Sequence, residues 1–162
     1  MMKRILAALL LATTVATPAV AAPPATFSKP VNNDVVSRMF TWWNVAFKDP
    51  NGFTVEAFSR YFTKDAVLRI NGTNRAAGIE DLAARFRMIQ SKVDAVEIKV
   101  PFVEAFSSPD GSKIFTYHLE ESMHDGKPSH GMVMGYVEVR DGKIALVNFM
   151  SVDGQPGPIA GK

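Results

Sequence analysis

His118 and Glu120 stand two apart in the run KIFTYHLEES, and on a β-strand that spacing puts both side chains on one face. An imidazole carries protons near neutral pH, and a carboxylate beside it can serve as its partner or as a second base. Such a pair could move a proton on a small molecule if its face looks into a cavity. If the strand turns its other face inward, the two are ordinary solvated polar residues. The remaining histidines, His124 in a turn and His130 beside Ser129 near a strand start, read as solvated. The three share no spacing that suits a metal, and no cofactor is implied.

The strand carrying the pair belongs to a meander. Residues 113–153 read KIFTYHLEESMHDG, KPSHGMVMGYVEVRDG and KIALVNFMSVD, three runs rich in β-branched and aromatic residues. Each of the first two ends in Asp-Gly, the strongest short hairpin signal. On the middle run Gly131, Val133, Gly135, Val137 and Val139 alternate with Met132, Met134, Tyr136 and Glu138. Both faces are apolar, so both need cover.

The upstream elements can supply it. Asn33 or Asp34 can cap a helix whose Val35, Val36, Met39, Phe40, Trp43 and Phe47 form one apolar face, and Asp49-Pro50-Asn51-Gly52 stops it. Thr54 caps a second, short helix reaching Tyr61, and a strand follows over residues 66–70. Asn71-Gly72-Thr73-Asn74 is a turn. A third helix over residues 79–91 carries a Leu82, Phe86, Ile89 stripe, with Glu80 and Asp81 at the end that the helix dipole favours for acids. Residues 93–106 read as one long strand that Pro101 interrupts at a bulge or an edge. Helices gathered ahead of a run of strands predict an α+β domain, with the helices on one face of a curved antiparallel sheet.

Residues 1–22 have the three parts of a secretory signal peptide: Lys3-Arg4, an apolar run from Ile5, and the small-x-small site Ala19-Val20-Ala21. Cleavage after Ala21 or Ala22 would leave a periplasmic or secreted protein, with a Pro-rich leader over 23–32, a domain over 33–153 and a tail over 154–162. No stretch approaches the ~20 apolar residues of a spanning helix, so no membrane span is expected. The signal holds two of the 18 basic residues and none of the 16 acidic ones, which leaves the remainder with no formal net charge and no compositional support for nucleic acid binding. Cysteine is absent, which excludes disulfides and thiolate metal sites. Stability must come from packing, for which roughly 140 residues suffice.

The stretches FSRYFTKDAVLRING, AAGIEDLAARF and GKPSHGMVMGYVEVRDGKIALVNF resemble the nuclear transport factor 2-like superfamily, which includes the SnoaL-like polyketide cyclases and ketosteroid isomerase. The resemblance runs over roughly residues 34–153. It implies a cone-shaped curved sheet with three N-terminal helices packed on its concave face and a pocket at the open end. Laid on that pattern, the Gly131–Val139 face looks inward together with Thr116, His118, Glu120 and Ser122. Phe115, Tyr117, Leu119, Met132, Met134 and Tyr136 then form an outer apolar patch larger than a monomer usually exposes, which implies a back-to-back homodimer.

The same resemblance nominates ligand contacts. Trp43, Phe47 and Phe149 would wall the pocket, although core packing explains them equally well. Arg69 and Asn71 would sit at its rim, Asn71 also being a plain turn residue. Asn44 would point in from the first helix unless it is a surface amide, and Thr116 would lie beside His118. Departures from the pattern are as informative as matches. Ketosteroid isomerase places a carboxylate base, a phenol and a protonated acid where this chain has Ile70, Thr41 and Gly135, and the mid-strand acid of the cyclases also falls at Gly135. None of these residues can do those jobs. The expectation is an exported domain whose apolar pocket binds a small hydrophobic molecule. The alternatives are an acid-base enzyme, an isomerase, dehydratase or hydrolase using His118 and Glu120, or a structural part of an envelope complex.

Overall fold

The structure, a computed structural model, describes residues 33–157. The signal peptide and leader expected over residues 1–32, and the tail from residue 158, lie outside the described residues. Helix α1 is Val35–Ala46, and its first turn is closed by Asp34, whose carboxylate accepts the Val36 and Ser37 N–H groups at 2.8 and 2.9 Å. Helix α2, Val55–Ser59, is capped by the Thr54 hydroxyl. Helix α3, Ile79–Gln90, follows Gly78 at φ 93°, and Glu80 and Asp81 stand in its first turn.

The strands are β1 (Phe62–Ile70), β2 (Thr73–Ala77), β3 (Ala95–Ile98), β4 (Glu104–Ser107), β5 (Lys113–His124), β6 (Lys127–Arg140) and β7 (Lys143–Asp153). They form one sheet in the order β2-β1-β7-β6-β5-β3, and β4 lies beside β3 along the same edge of β5. Asp125-Gly126 and Asp141-Gly142, all four at positive φ, turn the meander β5-β6-β7. The architecture is α+β, a curved and unclosed sheet with the helices from the N-terminal half.

Four details differ from the sequence reading. The Asn71-Gly72 turn, at φ 51° and 76°, is a two-residue hairpin that leads into β2; TNRAA hides this strand because only Ala76 of it is buried. Strand β1 starts at Phe62 rather than at residue 66. The long strand expected over 93–106 is two strands, because Pro101 has no N–H to give to the ladder; Ile98 pairs with Glu120 and Glu104 with Tyr117. Finally, β1 runs parallel to β7, so the sheet is antiparallel except at that pair.

An aromatic cluster fills the space between the helices. Trp43, Phe47, Phe53, Phe58 and Phe86 meet with ring centroids 5.1 to 6.2 Å apart, and Phe53 and Phe58 are completely enclosed. On the opposite face of the meander the register stacks three rows: Phe106, Phe115 and Tyr136; Tyr117, Met134 and Met150; Leu119, Met132 and Val152. Met134, Met150 and Val152 are 57, 61 and 56 % exposed. Among the described residues no helix is long and apolar enough to cross a membrane.

Candidate functional site

Between the helices and the concave face of the sheet lies a cavity of about 200 Å³. Its walls are mainly apolar, from Met39, Phe40 and Trp43 of α1, Leu68 and Ile70 of β1, Leu82, Phe86 and Ile89 of α3, and Val133, Val147 and Phe149 of the meander. The register of β5 against β6, His118 opposite Val133, turns Thr116 and His118 into the interior, each 2 % exposed. Phe40, Phe102 and Phe149 surround the imidazole at 5.0, 5.6 and 5.3 Å between ring centroids. The Thr116 hydroxyl and His118 Nδ1 share a hydrogen bond of 3.2 Å, which orients the ring and leaves Nε2 unpartnered by protein.

Burial in this aromatic box pushes the His118 pKa down to about 4, so the ring is neutral at pH 7. Glu120 is the next inward residue of β5. It lines the cavity and also a second cleft formed with Glu121, His130, Gly131 and Gln155. Burial pushes its carboxyl pKa up, toward the neutral acid. Its side chain has no hydrogen-bond or ion-pair partner among the described residues, His118 included. A neutral base and a weakened acid on one wall could relay a proton to a bound molecule.

Trp43 and Phe149 line the cavity; the other expected contacts do not. Asn44 is held by the backbone of β3: its Nδ2 donates to Ile98 O at 2.8 Å and its Oδ1 accepts the Ile98 N–H at 2.9 Å, which pins α1 to the sheet edge. Phe47 packs against Trp43 and Phe53 in the core. Arg69 donates Nε to Asn74 Oδ1 at 2.9 Å on the exposed hairpin. Asn71 exchanges hydrogen bonds with the backbone of Ser151, at 3.1 and 2.8 Å. Thr116 touches the imidazole and not the cavity.

Arg85 was not anticipated. It lines the cavity from α3, and its Nε is buried without a partner, as is Nε1 of Trp43. Burial lowers its pKa, and neighbouring Arg75 lowers it further. The signal was present in the sequence: Arg85 falls three residues after Leu82 and four before Ile89, on the apolar stripe of its own helix.

The residues at the three positions that the resemblance compares with ketosteroid isomerase also take physical form. A Cβ at Gly135 would come within 2.2 Å of Asn148 O, so no side chain fits there. Ile70 offers only hydrocarbon to the cavity, and the Thr41 hydroxyl donates to Ser37 O within α1.

No protein-family profile and no curated protein matches the sequence. Solved structures do match in shape. A nuclear transport factor 2-like protein of unknown function from Exiguobacterium sp. 255-15 is 18% identical over 75% of this chain and 99% of its own, with a TM-score of 0.59. A nuclear transport factor 2-like protein from Anabaena variabilis is 16% identical over 76% and 89%, TM-score 0.57. A protein from Catenulispora acidiphila with a ketosteroid isomerase-like fold, solved in complex with trimethylamine, is 14% identical over 74% and 85%, TM-score 0.55. At these identities the likeness is one of fold.

Proposed function

We propose that this chain, which has the nuclear transport factor 2-like fold, binds a small hydrophobic molecule in the cavity walled by Phe40, Trp43 and Phe149. The observation that carries the reading is the cavity itself: about 200 Å³ of mainly apolar wall around a neutral imidazole. A dry apolar cavity of about 150 Å³ takes up benzene, so this one suits a single ring with a few further carbons. Burial of that hydrocarbon drives binding, and His118 Nε2 orients one polar group of the ligand.

A second reading is favoured by the free Nε2 of His118 and the unpartnered carboxyl of Glu120: acid-base turnover of such a molecule, with the imidazole as base. The two readings separate on one substitution. With 3-phenylpropanol as the probe in calorimetry, His118→Ala in a binding protein should change affinity by about 0.5–1.5 kcal/mol. In an enzyme it should reduce the rate on a substrate by ~10²–10⁴-fold. Failure of the wild-type protein to bind the probe would remove the binding reading.

Two further elements belong to the proposal. The signal-like residues 1–22 support export to the periplasm or medium, and N-terminal sequencing should find Ala22 or Pro23 first; a retained Met1 would overturn this. The three apolar rows on the outer sheet face support a homodimer through that face.

A further inference from the structure

We propose that the molecule taken up by the cavity carries a carboxylate, and that Arg85 is its counter-ion. The inference rests on the binding reading above and adds the polar end of the ligand. The arginines of the described chain sort by what their guanidinium groups do. Arg38 donates to Asn33 O, Arg69 to Asn74, Arg87 to Phe53 O and Arg140 to Asp65. Arg60 donates to Ala57 O and lies over the Trp42 and Tyr61 rings. Arg75 is exposed to water. Arg85 differs from all of them: its Nε is buried with nothing to donate to, and no ion pair reaches it.

Arg85 is half-buried, with Nε enclosed in the mainly apolar lining, so its charge stands at the cavity with no counter-ion among the described residues and a bound anion can supply one. Another unpartnered buried donor, Nε1 of Trp43, belongs to the same cavity lining. The acceptor side chains of the lining, His118, Glu120 and Ser151, bond to neither donor. A neutral carbonyl would satisfy the indole and leave the guanidinium uncompensated, whereas a carboxylate matches the planar fork of arginine and carries the missing charge. Glu120 does not compete for this role, since it makes no ion pair with Arg85 and its burial favours the protonated form. The apolar body of the ligand then lies against Phe40 and Phe149, and the cavity volume limits it to about one ring and a short chain.

The test compares 3-phenylpropanoate with 3-phenylpropanol, which differ only at the head group, by calorimetry on the full chain. The acid should bind at least about 10-fold more tightly than the alcohol, the effect of one charge-assisted hydrogen bond. Arg85→Gln should abolish that preference, bringing the ratio of the two affinities to about one, Arg85→Lys should keep part of it, and Arg75→Gln should keep all of it. The wild-type comparison reads the preference without any variant, so a poorly folding Arg85→Gln does not remove the test. Equal affinity for acid and alcohol, or a preference that survives Arg85→Gln, overturns the carboxylate and leaves the cavity reading standing. Binding of neither probe overturns both.

Discussion

Phe149 and Met150 are neighbours on β7, yet the first is 4 % exposed and the second 61 %. The same alternation runs through β5 and β6, where His118 faces inward and Tyr117 outward, Val133 inward and Met134 outward. Both faces of the meander are apolar, but they are covered differently. Helices roof the concave face and leave a cavity, whereas no element of the described chain covers the rows around Met134. An apolar alternation therefore tells that two surfaces need partners, and only the packing shows that one partner is intramolecular.

The comparison breaks most strongly from the inside. Phe149→Ala should cost about 3–5 kcal/mol of stability in urea unfolding, the usual effect of deleting a buried ring. Met150→Ala should stay within about 0.5 kcal/mol for the single folded chain. Comparable losses at the two positions would mean that the faces are not distinct.

A second effect belongs to the inner face alone. His118 has a folded pKa of about 4 against an ordinary 6.5, so as pH falls the unfolded chain takes up the proton first. Stability attributable to His118 is full above pH 6.5 and declines toward pH 4, by up to about 3 kcal/mol. Glu120 acts in the opposite sense: its raised pKa stabilises the fold at low pH, and that contribution is lost as pH rises from about 4.5 upward through its folded value. The difference between wild type and His118→Gln isolates the histidine contribution. Parallel stability profiles for the two proteins between pH 7 and 4 would show that the imidazole is solvated.

The smallest effect on folding and the clearest on association should come from the outer face. Met134→Lys should shift stability of the isolated fold by less than about 0.5 kcal/mol and convert a dimer to a monomer in sedimentation velocity. A wild-type protein that sediments as a monomer at micromolar concentration would leave the outer rows without the proposed partner.

What could be read from the sequence is what local chemistry determines. Asp34 and Thr54 announce their helices because a cap needs only the next three residues, and the Asp-Gly pairs announce the meander because both residues must adopt positive φ. The inward facing of His118 came from laying the chain on a fold pattern, since parity alone allows either face. Non-local features stayed hidden. Asn44 was a plausible pocket residue until its amide met Ile98, 54 residues away. The parallel pairing of β1 with β7 joins distant parts of the chain. Strand β2 is a polar edge with no alternation to reveal it. Arg85 sat on an apolar stripe in plain view, but an arginine on a helix is ordinarily a surface residue.

Whether the His118 imidazole is sheltered in a ligand cavity is measured most directly by its titration in proton–carbon NMR, with His118→Gln to assign its ring resonances. The imidazole should remain neutral to about pH 4, and its resonances should move when 3-phenylpropanol is added at pH 7. An imidazole that titrates near pH 6.5 and does not respond to the probe would contradict this.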